Sequence, residues 1–239
     1  MSLSKNHLKL ITSLSQKKYR QKHKLFAVEG VKVVHEFLNS SFELDILFST
    51  ETSFSHLNNY IEISEQELNK ISTLKTPNKV LALFKIPEQQ RVAPAGLIIA
   101  LDTINDPGNL GAIIRLCDWF GVEQLVCSKE TVDCYNTKVI QASMGSLTRI
   151  VIHYTDLKEY FEGLSLPIFI ADMEGENIYN TELPSSAVLV MGNEANGVSD
   201  SIRNIVDAKI SIPRFGNYQQ TESLNVATAT AILLSEFKR

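Results

Sequence analysis

The second part of the chain alternates short, continuous apolar runs with segments of helical period. The predicted strands lie at 97–101, 124–127, 150–152, 168–171, 187–191 and 209–212, of which 209–212 has the sequence KISI and alternates polar with apolar residues. Strands that are apolar on both faces and separated by helices are typical of a mostly parallel sheet covered on both sides. The sequence therefore predicts an α/β domain over residues 97–239, with ligands bound at the carboxyl edge of its sheet.

The first part of the chain predicts a smaller α/β domain over residues 1–88. Helical spacing is seen at 5–24, 31–38 and 65–72, and strand-like runs at 25–28, 44–48, 60–63 and 80–84. The polar stretch 87–96 contains two prolines and breaks this pattern, so we assign 89–96 as a linker. With 239 residues, 44% of them hydrophobic, the chain has enough apolar material for a core in each domain.

Several classes of protein are not expected. The apolar runs are far shorter than the roughly 20 residues of a membrane helix, and the first residues lack the apolar centre of a secretory signal. The three cysteines have no metal-type spacing, which favours reduced thiols over disulfides or a zinc site. We expect a cytoplasmic protein without a membrane span and without a bound metal.

Charge is distributed unevenly along the chain. Residues 1–24 contain seven basic and no acidic residues, whereas the remainder has 16 basic against 27 acidic residues. An isolated basic segment on an acidic protein suits a polyanionic partner, although a solvated basic helix would have the same composition. The candidate contacts for such a partner are Lys17, Lys18, Arg20, Lys22 and Lys24.

Three polar turns follow predicted strands of the second domain. In the first, Asn109 is expected to cap a helix that ends at Gly121. The second has the sequence GNEANG at 192–197, and the third leads from Pro213 into a helix whose start is rich in polar residues, Thr221, Glu222, Ser223 and Asn225. More polar groups are present there than one helix cap requires.

Arg115 is the unusual residue of the first turn and its helix, because its neighbours Ile113, Ile114, Leu116 and Cys117 are apolar. An unpaired buried charge is costly. Arg115 could pair with Asp118 in the ordinary way, or its guanidinium could emerge into a crevice that receives an anion.

The three turns together resemble the motifs of the SpoU/TrmH branch of the SPOUT methyltransferases. The matching residues are Asn109 with Arg115, the segment 192–197, and Ile212–Pro213 followed by ESLNV at 222–226. Residues 17–38 resemble the L30e-like RNA-binding domain that precedes the catalytic domain in many of these enzymes. The loop between Pro213 and Glu222 is longer than the family's common form.

This resemblance implies a 2′-O-ribose RNA methyltransferase that uses S-adenosylmethionine. It further implies a homodimer, a SPOUT α/β domain with a C-terminal trefoil knot, and ribosomal RNA rather than transfer RNA as the preferred substrate. The implied cofactor-binding residues are Gly192, Ile212 and Leu224. The residues implied around the acceptor ribose are Asn109, Arg115, Glu194, Ser223 and Asn225.

The resemblance also implies that Arg115 accepts the proton of the ribose hydroxyl. A guanidinium stays protonated in proteins and is therefore a poor base. Our hypothesis is that Arg115 binds the adjacent phosphate and lowers the pKa of the hydroxyl, while water, a phosphate oxygen or Glu194 accepts the proton.

Two other classes of function remain open from the residues. A non-catalytic RNA-binding protein would have the same basic segment, but it would have no need of the polar residues in the three turns. A dinucleotide-dependent oxidoreductase would share the α/β pattern, but no G-x-G-x-x-G follows the first strand of the second domain.

Overall fold

The structure is a computed structural model that describes residues 3–88, 94–218 and 223–239. Within these residues the helices are α1 (Lys5–Ser13), α2 (Lys17–His23), α3 (Val31–Leu38), α4 (Glu65–Ile71), α5 (Pro107–Phe120), α6 (Thr137–Ser143), α7 (Leu157–Glu162), α8 (Asp200–Arg203) and α9 (Val226–Phe237). The strands are β1 (Leu25–Glu29), β2 (Leu44–Ser49), β3 (Tyr60–Glu62), β4 (Val80–Lys85), β5 (Leu97–Asp102), β6 (Gln124–Ser128), β7 (Val151–Thr155), β8 (Ile168–Asn177), β9 (Ala187–Gly192) and β10 (Ala208–Ser211).

The chain forms two compact units whose sequence boundaries are interleaved. One unit contains Met1–Glu88 and Asp133–Thr148, and the other contains Gln89–Val132 and Arg149–Arg239. The segment Asp133–Thr148 therefore packs with the N-terminal residues, although the sequence pattern gave no reason to separate it from the second domain. The central part of the predicted linker, 89–93, lies outside the described residues.

The first unit is built on a mixed four-stranded sheet in the order β1-β4-β2-β3. Strand β4 runs antiparallel to β1 and β2, while β2 and β3 are parallel. Strand β4 lies inside the sheet, and its residues from Val80 to Phe84 are almost fully buried. The small α/β domain predicted from the sequence is confirmed in this form.

Arg20 corrects two predictions about the N-terminal segment. The single helix expected over 5–24 is divided into α1 and α2, and the Arg20 Nη1 donates to the carbonyls of Leu14 and Ser15 in the break, at 2.8 and 3.1 Å. The same guanidinium pairs with Asp133 at 2.5 Å, and the Arg20 side chain is only 3% exposed. A cation enclosed by these partners cannot serve as a surface contact for RNA. The prediction that Arg20 is one of the RNA-binding residues is therefore wrong.

The second unit contains a six-stranded sheet in the order β10-β8-β9-β5-β6-β7. Every neighbouring pair in this sheet is parallel. The central strands β5 and β9 are apolar and buried on both faces, as expected for a parallel sheet covered by helices. The predicted parallel sheet is confirmed, with β8 longer than its apolar run suggested.

Among residues 3–88, 94–218 and 223–239, no helix is both long enough and apolar enough to cross a membrane. The same part of the chain contains no group of three or more His, Cys, Asp and Glu side chains placed to hold a metal ion.

Candidate functional site

The three turns singled out in the sequence meet at one edge of the parallel sheet. Strands β5 and β9 are neighbours in register, with Asp102 opposite Gly192, so the turns that follow them emerge side by side. The Asn109 Nδ2 donates to the Glu194 carboxylate, which joins the first turn to the second. The Asn225 Nδ2 donates to the Asn109 Oδ1 at 2.9 Å and joins the third turn to both.

Asn109 does not cap helix α5, which corrects the sequence prediction. The cap is Asp106, whose Oδ1 accepts from the Asn109 N–H at 2.8 Å, and Pro107 occupies the first helical position. Proline is favoured there because its missing N–H would have no helical partner. The Asn109 side chain is thus available to bridge Glu194 and Asn225. The predicted end of the helix at Gly121 is confirmed, with Gly121 at φ 64°.

Asn225 combines a structural contact with a site contact. Its Oδ1 accepts from the N–H groups of Ala227 and Thr228 at 3.0 and 3.2 Å and caps helix α9. Its Nδ2 faces Asn109 at the same time. Since the cap fixes the orientation of the amide, the donor that it presents to the site is held in place. Thr221 and Glu222, the other polar residues predicted at this helix start, lie outside the described residues.

A tight hairpin after β9 carries Glu194. The backbone groups of Asn193 and Gly197 bond to each other in both directions, at 3.0 and 2.8 Å. A Cβ at Gly192 would lie only 2.3 Å from the Gly197 carbonyl carbon, so the hairpin can fold back on the strand only with glycine at this position. The Asn193 Nδ2 donates to the Thr103 carbonyl at 2.8 Å, which anchors the hairpin to the first turn.

Asp102 stabilises the turns at this edge of the sheet, a role that the sequence did not predict. Its side chain is buried at the end of β5, and its Oδ2 accepts from the Ser199 N–H at 2.8 Å. The hydroxyl of Thr103 donates to the other carboxylate oxygen at 3.1 Å. This aspartate ties the end of β5 to the start of α8. The only signal in the sequence was its position at the carboxyl end of an apolar strand.

A cavity of about 890 Å³ opens beside the meeting point of the turns. Its lining includes all three residues predicted to bind a cofactor and two of those predicted around the acceptor: Gly192, Glu194, Ile212, Ser223 and Leu224. Met191, Ile210 and Val226 also line it and are at most 5% exposed, which gives the cavity an apolar floor. The site thus has an apolar pocket bordered by polar groups, as is typical of small-molecule sites.

Arg115 lies on the solvent-facing side of α5, whose buried face is formed by Leu110, Ile113, Ile114 and Cys117. The ordinary partner for Arg115, Asp118, instead binds Arg149, whose Nε and Nη2 lie 3.0 and 2.9 Å from its carboxylate oxygens. The apolar neighbours of Arg115 in the sequence are therefore explained by the buried face of the helix.

Cys117 on the buried face of α5 is not a candidate nucleophile. Burial, together with the nearby negative charge of Asp118, raises the pKa of its thiol to about 12. The reactive form of cysteine is the thiolate, which is scarce at neutral pH when the pKa is this high. Cys117 therefore acts as a small apolar core residue.

Arg203 and Asp172 form an ion pair in the wall of the cavity that sequence reasoning also missed. The Arg203 Nη1 donates to the Asp172 carboxylate, and its Nε donates to the Val198 carbonyl at 2.8 Å. Both charged residues line the cavity, and the Asp172 side chain is only 8% exposed. Through these two contacts, Arg203 links Val198, the residue after Gly197, to Asp172 in β8. No sequence signal connects the two residues, because they lie on different elements.

The ionisation of Asp172 follows from these contacts. Burial alone would raise the pKa of its carboxyl group, but a hydrogen bond from the Glu174 N–H and the hydrogen bond and charge of Arg203 outweigh it. The pKa of Asp172 is therefore held below its usual range, and the ion pair is intact at neutral pH.

The four predicted RNA-binding lysines of the first unit, Lys17, Lys18, Lys22 and Lys24, are all exposed. The ammonium group of Lys18 lies 4.9 Å from the centre of the Tyr19 ring, within the range of a cation–π contact. These side chains form a basic surface along and just after α2.

Comparison with known families decides the class of protein. The profile of the SpoU rRNA Methylase family matches residues 96–235, more than half of the chain. The chain belongs to the SpoU rRNA methylase family. Residues 5–82 match an MRM3-like substrate binding domain. The resemblance drawn from the three motifs is confirmed, and the six-stranded parallel unit is the SPOUT domain of this family member.

Individual relatives agree with this assignment to the SpoU family. The chain is 32% identical over 237 residues to the 23S rRNA (guanosine(2553)-2′-O)-methyltransferase RlmP of Bacillus subtilis, covering 92% of this chain and 91% of that protein. A solved structure of a TrmH-family protein from Porphyromonas gingivalis is 35% identical with a TM-score of 0.90, covering 98% of each chain. An AdoMet-bound rRNA methyltransferase from Sinorhizobium meliloti is 27% identical with a TM-score of 0.87, covering 100% of this chain and 97% of that one.

Proposed function

We propose that this protein transfers a methyl group from S-adenosylmethionine to a ribose 2′-hydroxyl of ribosomal RNA. The observation that carries the proposal is the hydrogen-bonded chain Glu194–Asn109–Asn225 beside the cavity, in a member of the SpoU family. The B. subtilis relative is named for 2′-O-methylation of 23S rRNA, and the S. meliloti relative contains AdoMet. Both names support the same reaction and favour 23S rRNA over transfer RNA.

The cavity fits the cofactor in size and lining. Its volume of about 890 Å³ lies within the range of roughly 300–1,000 Å³ that is usual for small-molecule sites. We propose that Gly192, Ile212 and Leu224 hold the cofactor, mainly through backbone groups, over the apolar floor. When bound, S-adenosylmethionine supplies a methyl group that its positively charged sulfur makes easy to transfer.

The pair Arg203–Asp172 is expected to set cofactor affinity. Arg203→Met should weaken binding of S-adenosylhomocysteine about tenfold, because the loss of a buried charge-assisted contact loosens one wall of the cavity. Asp172→Asn should act in the same direction. Isothermal titration calorimetry measures the effect, with Arg149→Met as the matched control, since Arg149 pairs with Asp118 and does not line the cavity. Equal affinity in all four proteins would contradict this role.

Acidification provides a second readout of the same pair. Because the pKa of Asp172 is lowered in the folded protein, the carboxylate is ionised at neutral pH. The contribution of the ion pair to cofactor affinity is therefore present there, and it is lost only as pH falls through the lowered pKa. Affinity of the wild-type protein should therefore keep this contribution down to about pH 4, the ordinary range of an aspartate. A loss of the contribution between pH 6 and 8 would contradict this assignment.

The acceptor ribose is proposed to bind among Asn109, Arg115, Glu194, Ser223 and Asn225. Asn109 and Asn225 present amide groups whose orientation is fixed by their own hydrogen bonds. Such fixed groups can hold a hydroxyl in line with the methyl carbon, and positioning of this kind contributes several kcal/mol to catalysis, up to about 7–11 in the best cases. No catalytic metal is needed for this reaction.

Arg115 is proposed to bind the phosphate next to the target ribose. Its planar guanidinium can contact two phosphate oxygens at once, and its charge favours the ionised form of a nearby hydroxyl. The proton leaves through water, a phosphate oxygen or the Glu194 carboxylate, all of which are better bases than a guanidinium.

The N-terminal residues are proposed to bind the RNA substrate. We retain the boundaries predicted from the sequence: a substrate-binding domain at 1–88, a linker at 89–96 and a methyltransferase domain at 97–239. Lys17, Lys18, Lys22 and Lys24 are the proposed phosphate contacts, and their exposure supports this role. The match of residues 5–82 to a substrate binding domain points in the same direction.

Two further properties of the family are proposed for this chain, a C-terminal trefoil knot and a homodimer. The Trp119 side chain supports the homodimer, because it is 84% exposed on α5. It lies one helical turn after Arg115, on the same helix face. Tryptophan is among the residues that are enriched at protein–protein interfaces. Light scattering should give twice the chain mass of 26.7 kDa.

Labelled methyl transfer tests the proposed function. The wild-type protein should label purified 23S rRNA and leave transfer RNA unlabelled.

Replacing Lys17, Lys18, Lys22 and Lys24 together by glutamine should raise the KM for RNA at least tenfold, because each phosphate contact adds to RNA affinity. Cofactor affinity should stay unchanged, because none of these proposed contacts involves the cofactor. Deletion of residues 1–88 is a poorer test, since Asp133–Thr148 packs with them.

Two results would contradict these assignments. Labelling of transfer RNA but not ribosomal RNA would overturn the substrate class. An unchanged KM for the glutamine variant would remove the lysines from RNA binding.

A further inference from the structure

Exposed apolar side chains are concentrated at the mouth of the cavity. In the described part of the chain, seven large hydrophobic side chains are exposed, and four of them line this one cavity: Met173 (62%), Phe215 (82%), Tyr218 (89%) and Leu224 (47%). Single exposed apolar residues are normal on a protein surface, but a cluster around one opening usually marks a binding surface. We call these four residues the apolar rim.

The apolar rim differs from the cavity floor in burial and in composition. The floor residues Met191, Ile210 and Val226 are at most 5% exposed, whereas the two aromatic rings of the rim are almost fully exposed. The rim also carries charge, because Arg214 is exposed and its Nη2 lies 2.9 Å from the Met173 sulfur. Aromatic side chains next to an arginine are typical of surfaces that bind single-stranded nucleic acid.

The geometry points to an unpaired RNA base as the occupant of the apolar rim, and we propose that Phe215 and Tyr218 stack on it. This inference rests on the proposed function. In a nucleotide, the base is bonded to the sugar carbon adjacent to the one that carries the 2′-hydroxyl. A ribose bound beside Glu194 therefore brings its base, or the base of a flanking nucleotide, to the mouth of the cavity that Glu194 lines.

The proposal defines a substrate class. Bases in a duplex are stacked on one another and cannot offer a face to a protein side chain, whereas bases in loops and single strands can. The enzyme should therefore act on nucleotides in unpaired segments of ribosomal RNA. Arg214 would contribute a cation near the phosphates that flank the stacked base.

The test compares single-stranded with paired RNA. The probes are a fluorescein-labelled single-stranded oligoribonucleotide without self-complementarity and its duplex with the complementary strand, with binding measured by fluorescence anisotropy in the absence of cofactor. The variants Phe215→Leu and Tyr218→Leu keep apolar bulk but remove the aromatic face. Tyr179→Leu is the control, because Tyr179 is 40% exposed in the same unit and does not line the cavity.

The wild-type protein and the Tyr179 control should prefer the single strand. Each rim variant should bind the single strand about tenfold more weakly, the loss expected for one stacked base, while its affinity for the duplex stays the same. Phe215→Trp keeps an aromatic face and should therefore retain the wild-type preference for the single strand. The KM for 23S rRNA should rise in parallel, with unchanged affinity for S-adenosylhomocysteine.

Three results would overturn the proposal. Rim variants with the wild-type preference for the single strand would show that no base stacks there. A loss of S-adenosylhomocysteine affinity without a change in RNA binding would assign the rings to the cofactor. A change in oligomeric mass in light scattering would assign them to a protein contact. A wild-type protein that transfers no methyl group would defeat the proposed function instead, and it would leave the binding comparison readable.

Discussion

Arg115→Ala is expected to reduce methyl transfer at saturating cofactor by a factor of about 100 to 1,000, the usual effect of removing one preorganised contact to developing charge. Arg115→Lys should recover little of this loss, because a lysine is a point charge and cannot contact two phosphate oxygens in a plane. The measurement is single-turnover methyl transfer to 23S rRNA.

The controls for Arg115 separate chemistry from folding. Because Arg115 is exposed, neither variant should change the free energy of unfolding by more than about 0.5 kcal/mol. Affinity for S-adenosylhomocysteine should also stay the same, since Arg115 does not line the cavity. Arg149→Lys is the matched exposed arginine and should keep the full rate. A nearly full rate for Arg115→Lys would show that a planar contact is unnecessary, and a full rate for Arg115→Ala would remove Arg115 from the reaction.

Gly192→Ala is expected to abolish detectable cofactor binding in calorimetry. The added Cβ would lie 2.3 Å from the Gly197 carbonyl carbon and 2.4 Å from the Val198 nitrogen. Both contacts are with backbone, so the hairpin must move away from the strand, and Glu194 moves with it. Forced overpacking of this kind usually costs about 1–3 kcal/mol, which should appear as a lower melting temperature.

Gly163→Ala provides the control for Gly192. A Cβ at Gly163 would lie 3.7 Å from its nearest neighbour, the Tyr160 carbonyl oxygen, which is ordinary van der Waals contact. This variant should bind S-adenosylhomocysteine as the wild type does. Wild-type affinity in Gly192→Ala would contradict the role of the hairpin as one wall of the cofactor site.

The parallel sheet and the meeting of the turns could be predicted because both depend on local pattern and general geometry. Continuous apolar runs identify strands that are buried on both faces, and parallel strands bring their carboxyl ends to one edge. Asn109, Glu194 and Asn225 come after the parallel strands β5, β9 and β10, and the hydrogen bonds between these side chains agree with that expectation.

Other features could not be predicted because they depend on partners that are distant in the chain. Arg20 lies among exposed lysines in the sequence, and its burial depends on Asp133, 113 residues away. The Arg203–Asp172 pair similarly joins α8 to β8. The cap of α5 was wrong for a local reason: Asp106 and Asn109 are both good capping residues, and Pro107 in the first helical position decides between them.

The chemical position of the transferred methyl group tests the central claim most directly. The protein is incubated with 23S rRNA and methyl-labelled S-adenosylmethionine, and the RNA is then cleaved with alkali, which requires a free 2′-hydroxyl. If the three turns place the ribose oxygen at the methyl group, the label will appear in an alkali-resistant dinucleotide. Label on a base, or in mononucleotides only, would contradict the account.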